Sequence, residues 1–185
     1  EIFTMSKIKK KYAGGKIAVV TGVARSGKSD FALSLAKNAK RPFYVATGWA
    51  GDEEMKERIR KHREQRSRKW TTIEERFSLS KAITMAIEEK ADFIVVDCLT
   101  LWTSNMVLEK MAVDIELEKL ANCLVLTKNL PRIVFVTNEV GCGIVPENRL
   151  AREFRDAAGI VNKKIAKIAN EVYLLVCGIE TRLKP

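Results

Sequence analysis

The stretch that decides the fold is KIAVVTGVARSGKS, residues 16–29. Its first part, Lys16 to Thr21, is apolar and β-branched, which predicts a short buried strand. The rest has the spacing G-x-x-x-x-G-K-S and leads into a helical pattern from Asp30 to Ala39. The two glycines allow a tight turn whose N–H groups converge, and a helix that begins at Lys28 adds the positive end of its dipole. Strand, loop and helix in this order predict a phosphate-binding loop.

The residue types in the loop suit a nucleoside triphosphate. Lys28 is expected to hold the outer phosphates, and Ser29 to offer its hydroxyl to Mg²⁺. The alternative, a glycine-containing turn that binds nothing, is disfavoured because every position of the motif matches. The predicted nucleotide-binding residues of the loop are Gly22, Val23, Ala24, Arg25, Ser26, Gly27, Lys28 and Ser29.

Length and composition restrict the class of protein. A chain of 185 residues that is 46% hydrophobic predicts one folded domain, 16–185, after a flexible basic arm over 1–15. No apolar run is long enough to span a bilayer. Four scattered cysteines and one histidine argue against zinc and favour free thiols in the cytoplasm. The net charge of +10 raises a nucleic-acid hypothesis, but acidic residues are interspersed and aromatic residues are not, so we expect an anionic small-molecule substrate and no nucleic acid.

Strands and helices alternate along the rest of the chain. The predicted strands are 42–47, 70–74, 93–97, 132–138 and 171–176, the last of which is expected to close the sheet. The predicted helices are 52–68, 78–89 with Ser78 as its cap, 99–106, 114–126 and a long one with the apolar stripe Leu150, Phe154, Ala158, Val161, Ile165 and Ile168. This alternation predicts an α/β fold, a mainly parallel sheet with helices on both faces, of the P-loop NTP-binding (RecA-like) type.

Several candidate residues follow predicted strands, at the edge where open α/β sheets bind ligands. Asp97 ends FIVVD, a pattern typical of the Walker-B carboxylate that holds Mg²⁺, although a turn or cap role also fits. Ala46, Thr47 and Gly48 end the second strand, either beside a nucleotide or in an ordinary turn. The loop 139–148, EVGCGIVPEN, is expected at the same edge, or is a connector held by turn chemistry.

The helix predicted over 52–68 carries the single histidine. His62 shares a helical face with Met55, Ile59 and Arg66. The cations around it are Arg58, Arg60, Lys61 and Arg63. They should disfavour the imidazolium and keep His62 neutral and nucleophilic. A surface histidine is also often without function, so the residues alone leave its role open.

The motifs together resemble the bifunctional adenosylcobinamide kinase/adenosylcobinamide-phosphate guanylyltransferase family of cobalamin biosynthesis. The matching segments are TGVARSGKS, YVAT with DEEMKERIRKHREQRSRKW, VVDCLTLWTSN, VTNEVGCGIVPENRLAREFRDAAGIVNKKIA and EVYLLVCGI. The resemblance extends from Lys16 to Ile179, and its most specific part is Thr137 to Asn162.

The resemblance implies an enzyme with two reactions. ATP or GTP phosphorylates adenosylcobinamide; a histidine then attacks the α-phosphorus of GTP, and the GMP adduct passes GMP to adenosylcobinamide phosphate. His62 lies in the family's nucleophile region, preceded by Lys61 where family members can carry a second histidine. The resemblance makes His62 a catalytic residue and the assembly a homotrimer, while the phosphate loop predicts Lys28 as the other catalytic residue and Mg²⁺ as the cofactor. The helix that bears His62 is expected to swing in after GTP binds.

The resemblance also implies contacts to the nucleotide. Glu74 would accept hydrogen bonds from the guanine N1–H and N2–H. The remaining nucleotide contacts implied by the resemblance are Ala46, Thr47, Gly48, Arg63, Glu64, Gln65, Arg66 and Asp97. The phosphate loop and the strand-end pattern predict Ser29 and Asp97 as the metal ligands. Two alternatives are a simple small-molecule kinase that does not use His62, and a RecA-like ATPase that depends on nucleic acid.

Overall fold

The structure is a computed structural model that describes residues 17–49, 51, 53–64 and 67–184, without the side chains of residues 54, 55, 58, 59, 61 and 62. Seven strands form one sheet in this part of the chain. The strands are β1 (Ile17–Gly22), β2 (Pro42–Ala46), β3 (Thr71–Glu74), β4 (Phe93–Asp97), β5 (Arg132–Val136), β6 (Glu171–Val176) and β7 (Ile179–Lys184). Their order is β3-β2-β4-β5-β1-β6-β7, and all neighbours are parallel except β6 and β7.

The helices connect the parallel strands. They are α1 (Lys28–Ser34), α2 (Glu53–Glu64), α3 (Leu79–Glu88), α4 (Leu99–Leu108), α5 (Val113–Leu126) and α6 (Arg149–Ile168). None of them is both long and apolar enough to cross a membrane. The arm predicted over 1–15 lies outside the described residues.

Helices cover the sheet on both faces, as predicted. The side chains of β1 alternate, so that Ile17 and Val19 face one apolar cluster while Ala18 and Val20 face the other. The larger cluster packs under α3, α4, α5 and α6, with Trp102 fully buried in it. The smaller packs under α1. Because the strands are buried on both faces, polar side chains can meet only at the ends of the strands. Open α/β sheets bind ligands at the carboxyl ends.

The structure corrects the expectation that β6 is the last strand. The chain turns back through Cys177 and Gly178, both at positive φ, and β7 pairs antiparallel with β6. Glu171 holds the hairpin through Arg132 at 2.9 Å and Arg182 at 3.2 Å. The sequence signal is Gly178 between two strand-like runs, because two-residue hairpin turns need positive φ and favour glycine there.

Three predictions about helices also change. The first helix ends at Ser34, and tighter turns with bonds such as Ala39 N to Ala36 O follow it. Ser78 occupies the cap position of α3 without a side-chain cap bond; instead the Glu75 carboxylate accepts from the Phe77 and Ser78 N–H groups. Leu150 of the predicted core stripe is exposed, because the first turns of α6 extend past the sheet edge.

Two glycine substitutions should have opposite effects on stability. Gly159 lies in α6 with no atom within 4 Å of an added Cβ, so Gly159→Ala should raise the unfolding free energy by about 1 kcal/mol through helix propensity. At Gly22, with φ +149°, a Cβ would lie 2.4 Å from the Leu175 carbonyl oxygen, so Gly22→Ala should lower it by about 3 kcal/mol. Urea denaturation measures both; equal midpoints would contradict the close approach at Gly22.

Candidate active site at the phosphate loop

The phosphate loop joins β1 to α1 and is held by its backbone. Gly27 caps α1 in the left-handed region at φ 90°. The turn of the β6–β7 hairpin supports the loop from outside, since Gly178 N donates to Ser26 O at 3.1 Å. Contacts within the chain therefore hold the shape of the loop, and N–H groups in such a loop can converge on an anion.

Lys28 is largely buried although it carries a charge. Its Nζ donates to the Val23 carbonyl oxygen at 2.5 Å and lies 3.4 Å from Ser26 Oγ. A buried ammonium needs hydrogen-bond acceptors, and here the loop itself supplies them. Phosphate oxygens are stronger acceptors than these neutral groups, so the same ammonium can move to an anion in the loop.

Ser29 and Asp97 meet across the site. Asp97 ends β4, which β5 separates from β1, yet α1 brings Ser29 Oγ to 2.6 Å from Asp97 Oδ2. Tyr44 OH donates to the same carboxylate oxygen at 2.8 Å. The sequence reasoning missed Tyr44, because no motif marks it; it reaches Asp97 only through the register of β2 beside β4.

Thr47, at the end of β2, is fully buried and ties β2 to β4. Its Oγ1 donates to Cys98 O at 2.8 Å and accepts from Cys98 N at 2.7 Å. Asn105 Nδ2 donates to the Thr47 carbonyl oxygen at 2.9 Å. Thr47, which the sequence places in the nucleotide site, thus has a buried side chain that holds the ends of β2 and β4 together.

A second polar cluster, also missed from the sequence, follows β5. Thr137 Oγ1 donates to Asn162 Oδ1 at 2.7 Å and lies 3.2 Å from Thr100 Oγ1. Asn138 N donates to Thr100 Oγ1 at 2.6 Å, and its carbonyl accepts from Asn162 Nδ2 at 3.3 Å. Side chains of α4 and α6 therefore fix the backbone between Asp97 and the phosphate loop.

A cavity of about 530 Å³ opens at the ends of β2 and β3. It is lined by Ala46, Gly48, Trp49, Lys56, Arg60, Arg63, Glu74, Glu75 and Arg76. The Arg76 guanidinium lies 4.5 Å from the centre of the Trp49 ring, a cation–π contact. An aromatic ring, two carboxylates and four cations make this an opening for a polar, anionic ligand.

Glu74 already has a partner in the cavity. Arg63 Nη2 lies 2.6 Å from Glu74 Oε1, and both side chains are exposed. Exposed ion pairs contribute about 0–1 kcal/mol, so a ligand can displace this arginine from the carboxylate. Glu64 is paired instead with Arg60 on the same helix.

The remaining predicted residues of α2 are described only in part. The backbone of residue 62 belongs to α2, which lines the cavity through Lys56, Arg60 and Arg63. The His62 side chain, Gln65 and Arg66 lie outside the described part of the chain.

Comparison with known families identifies the family of this chain. The family model described as "Cobinamide kinase / cobinamide phosphate guanyltransferase" matches residues 18–183. This chain belongs to that family. Its relatives include the bifunctional adenosylcobalamin biosynthesis protein CobU of Escherichia coli K12, 38% identical over 183 residues, covering 90% of this chain and 98% of the relative.

Two further relatives are also bifunctional adenosylcobalamin biosynthesis proteins. CobU of Salmonella typhimurium LT2 is 40% identical over 183 residues, covering 90% of this chain and 98% of the relative. CobP of Pseudomonas aeruginosa PAO1 is 41% identical over 171 residues, covering 90% and 96%. The predictions of the family and of an enzyme are confirmed.

Solved structures with low sequence identity to this chain resemble it in fold alone. A prototypical ATPase from the type III secretion system of pathogenic bacteria has a TM-score of 0.58 at 9% identity over 88% of this chain; the chain spans 51% of that ATPase chain. The protein PH0250 from Pyrococcus horikoshii OT3 has a TM-score of 0.54 at 10% identity, covering 98% of this chain and 92% of that chain. The predicted P-loop fold is confirmed.

The thiol of Cys98 should react more slowly than those of Cys142 and Cys177. Burial, with the Asp97 charge adding to it, raises the pKa of Cys98 to about 12, whereas Cys142 and Cys177 are exposed. At pH 8 the thiolate fraction of Cys98 is then about 10³-fold below that of an ordinary thiol. A disulfide reagent should label Cys142 and Cys177 quickly and Cys98 only after denaturation. Cys98→Ala should lose one denaturation-dependent label and keep the rapid labels; a rapid Cys98 adduct, found by mass spectrometry of native protein, would contradict the burial.

Proposed function

We propose that this chain phosphorylates adenosylcobinamide with a nucleoside triphosphate and then transfers GMP from GTP through a phosphorus–nitrogen bond to His62. Family membership over residues 18–183 supports the two activities. The observation that carries the phosphoryl step is the convergence of Lys28, Ser29 and Asp97 at one edge of the sheet.

In the first reaction, the hydroxyl oxygen of adenosylcobinamide bonds to the γ-phosphorus while the β–γ bridging bond breaks. A nucleoside diphosphate leaves, and the hydroxyl proton is released. The loop amides and the Lys28 ammonium would hold the phosphate oxygens whose charge grows during transfer, since such catalysis is largely positioning and electrostatic stabilisation.

The donor set beside the loop fits Mg²⁺. Ser29 Oγ and an Asp97 carboxylate oxygen, 2.6 Å apart, are hard oxygen ligands that can each take one position of an octahedral ion that keeps several waters. Bound there, Mg²⁺ would neutralise charge on the β- and γ-phosphates. Tyr44 would orient the carboxylate from β2.

In the second reaction, the neutral His62 imidazole attacks the α-phosphorus of GTP, and pyrophosphate leaves. A phosphate oxygen of adenosylcobinamide phosphate then attacks the GMP phosphorus, the P–N bond breaks, and adenosylcobinamide-GDP forms with His62 restored. The cavity that α2 lines is the proposed guanine site. There the Glu74 carboxylate would release Arg63 and accept hydrogen bonds from the guanine N–H groups instead.

The proposal includes two properties inferred from the family resemblance and the cysteine usage. These are assembly as a homotrimer, measurable as the mass in solution, and residence in the cytoplasm.

Removal of the imidazole should abolish covalent labelling. Wild-type protein incubated with α-³²P-GTP should retain label through denaturing electrophoresis, and the label should be acid-labile and alkali-stable, as a phosphoramidate is. His62→Ala should show none. The matched control is Lys128→Ala, an exposed lysine before β5 at the opposite edge of the sheet, which should label as wild type. If wild-type protein takes up no label but still phosphorylates adenosylcobinamide, the GMP–histidine step is refuted and the chain is a simple kinase.

Asp97 should matter more than the tyrosine that orients it. Asp97→Asn removes a negative ligand, so the kinase rate should fall by at least about 100-fold and the Mg²⁺ concentration for half-maximal rate should rise. Tyr44→Phe removes one hydrogen bond to the same oxygen and should cost about 3- to 10-fold. Steady-state rates across a Mg²⁺ titration measure both; an Asp97→Asn enzyme with an unchanged Mg²⁺ response would refute the metal assignment.

A further inference from the structure

The loop 139–148, here called the rim loop, is fixed at the carboxyl edge of the sheet from several sides. At its start, Glu139 N donates to Gly22 O at 3.1 Å, which joins it to the phosphate loop. Behind it, Arg152 of α6 donates to the Pro146 and Glu147 carbonyl oxygens at 2.9 and 2.6 Å. Arg152 thus anchors the end of the rim loop to α6, and the loop is held without covering its own apolar side chains.

Two adjacent apolar side chains of the rim loop face solvent. Ile144 is 96% exposed and Val145 is 61% exposed. Exposed apolar side chains that are adjacent to each other, on a loop beside the proposed phosphate site, are candidates for contact with a ligand or partner. Val23, on the neighbouring phosphate loop, is also exposed.

The geometry of the proposed kinase step selects the ligand. The cavity proposed for guanine lies at β2 and β3, which β4 and β5 separate from β1; at about 4.8 Å per strand spacing, β1 and β2 are roughly 14 Å apart. The acceptor hydroxyl must approach the terminal phosphate at the loop after β1. The rim loop follows β5 and is joined to Gly22 at the end of β1, so it begins beside the phosphate loop, next to which the body of the acceptor must lie.

We propose that Ile144 and Val145 of the rim loop form the surface on which the corrin ring of adenosylcobinamide packs while its hydroxyl reaches the phosphate loop. This inference rests on the proposed kinase activity. A corrin ring presents methyl groups together with amide side chains. The methyl groups match the exposed aliphatic pair, and the amides match the polar backbone around it.

The double variant Ile144→Ser/Val145→Ser tests this surface. Both side chains are outside the core, so thermal unfolding should be unchanged. The KM for adenosylcobinamide should rise about 10- to 100-fold, the range expected for lost apolar contact, while the KM for ATP and the mass in solution stay as in wild type. Equilibrium dialysis with adenosylcobinamide alone should show the same loss of affinity. Leu126→Ser is the matched control, since Leu126 is 71% exposed at the end of α5, at the opposite edge of the sheet.

Each other outcome is decisive. Wild-type protein that does not phosphorylate adenosylcobinamide refutes the proposed function and this surface with it. Active wild type together with an unchanged KM in the double variant refutes only the surface. A double variant with a smaller mass in solution shows that a second copy of the chain covers the pair, and overturns the assignment to the corrin ring.

Discussion

The structure depends on a close backbone approach at Gly22. The Leu175 carbonyl oxygen of β6 occupies the space that a side chain at this position would need. On its other side, the Gly22 carbonyl accepts from Glu139 N at the start of the rim loop. The carboxyl ends of β5, β1 and β6 therefore converge at one residue without a side chain. Any Cβ there would separate at least one of them, and with it the support of the phosphate loop.

The site beside Gly22 has positively charged groups in the phosphate loop and a negatively charged group across from it. The phosphate loop contributes N–H groups and the Lys28 ammonium, held by neutral oxygens of the loop. Strand β4, which β5 separates from β1, contributes the Asp97 carboxylate, to which Ser29 and Tyr44 donate. In the proposed function, this pairing places cationic and metal-binding groups on either side of one phosphate chain, while a separate cavity with Glu74 recognises the base. Separate recognition of phosphates and base suits a chain that must present different phosphorus atoms to two acceptors.

Sequence reasoning succeeded where a structural element is encoded by adjacent residues. The spacing from Gly22 to Ser29 predicts a loop whose shape the chain itself encodes, and the run that ends at Asp97 predicts a strand-end carboxylate. It missed Tyr44, Thr100 and Asn162, because hydroxyl and amide side chains within strands and helices acquire partners only from neighbouring elements. It also missed β7, whose residues are exposed and carry no burial pattern, although Cys177 and Gly178 mark the turn.

The sequence by itself determined the phosphate-binding loop, the alternation of strands and helices, and the family, because these depend on local spacing and on runs of side chains. Only the tertiary structure decided which residues meet. Ser29 and Asp97 are 68 positions apart and lie 2.6 Å from each other, since β4 and β1 are held in one parallel sheet by β5 between them. The physical reason is the register of the sheet: strand pairing converts distant positions into neighbours, and no local pattern records which partner a strand will take.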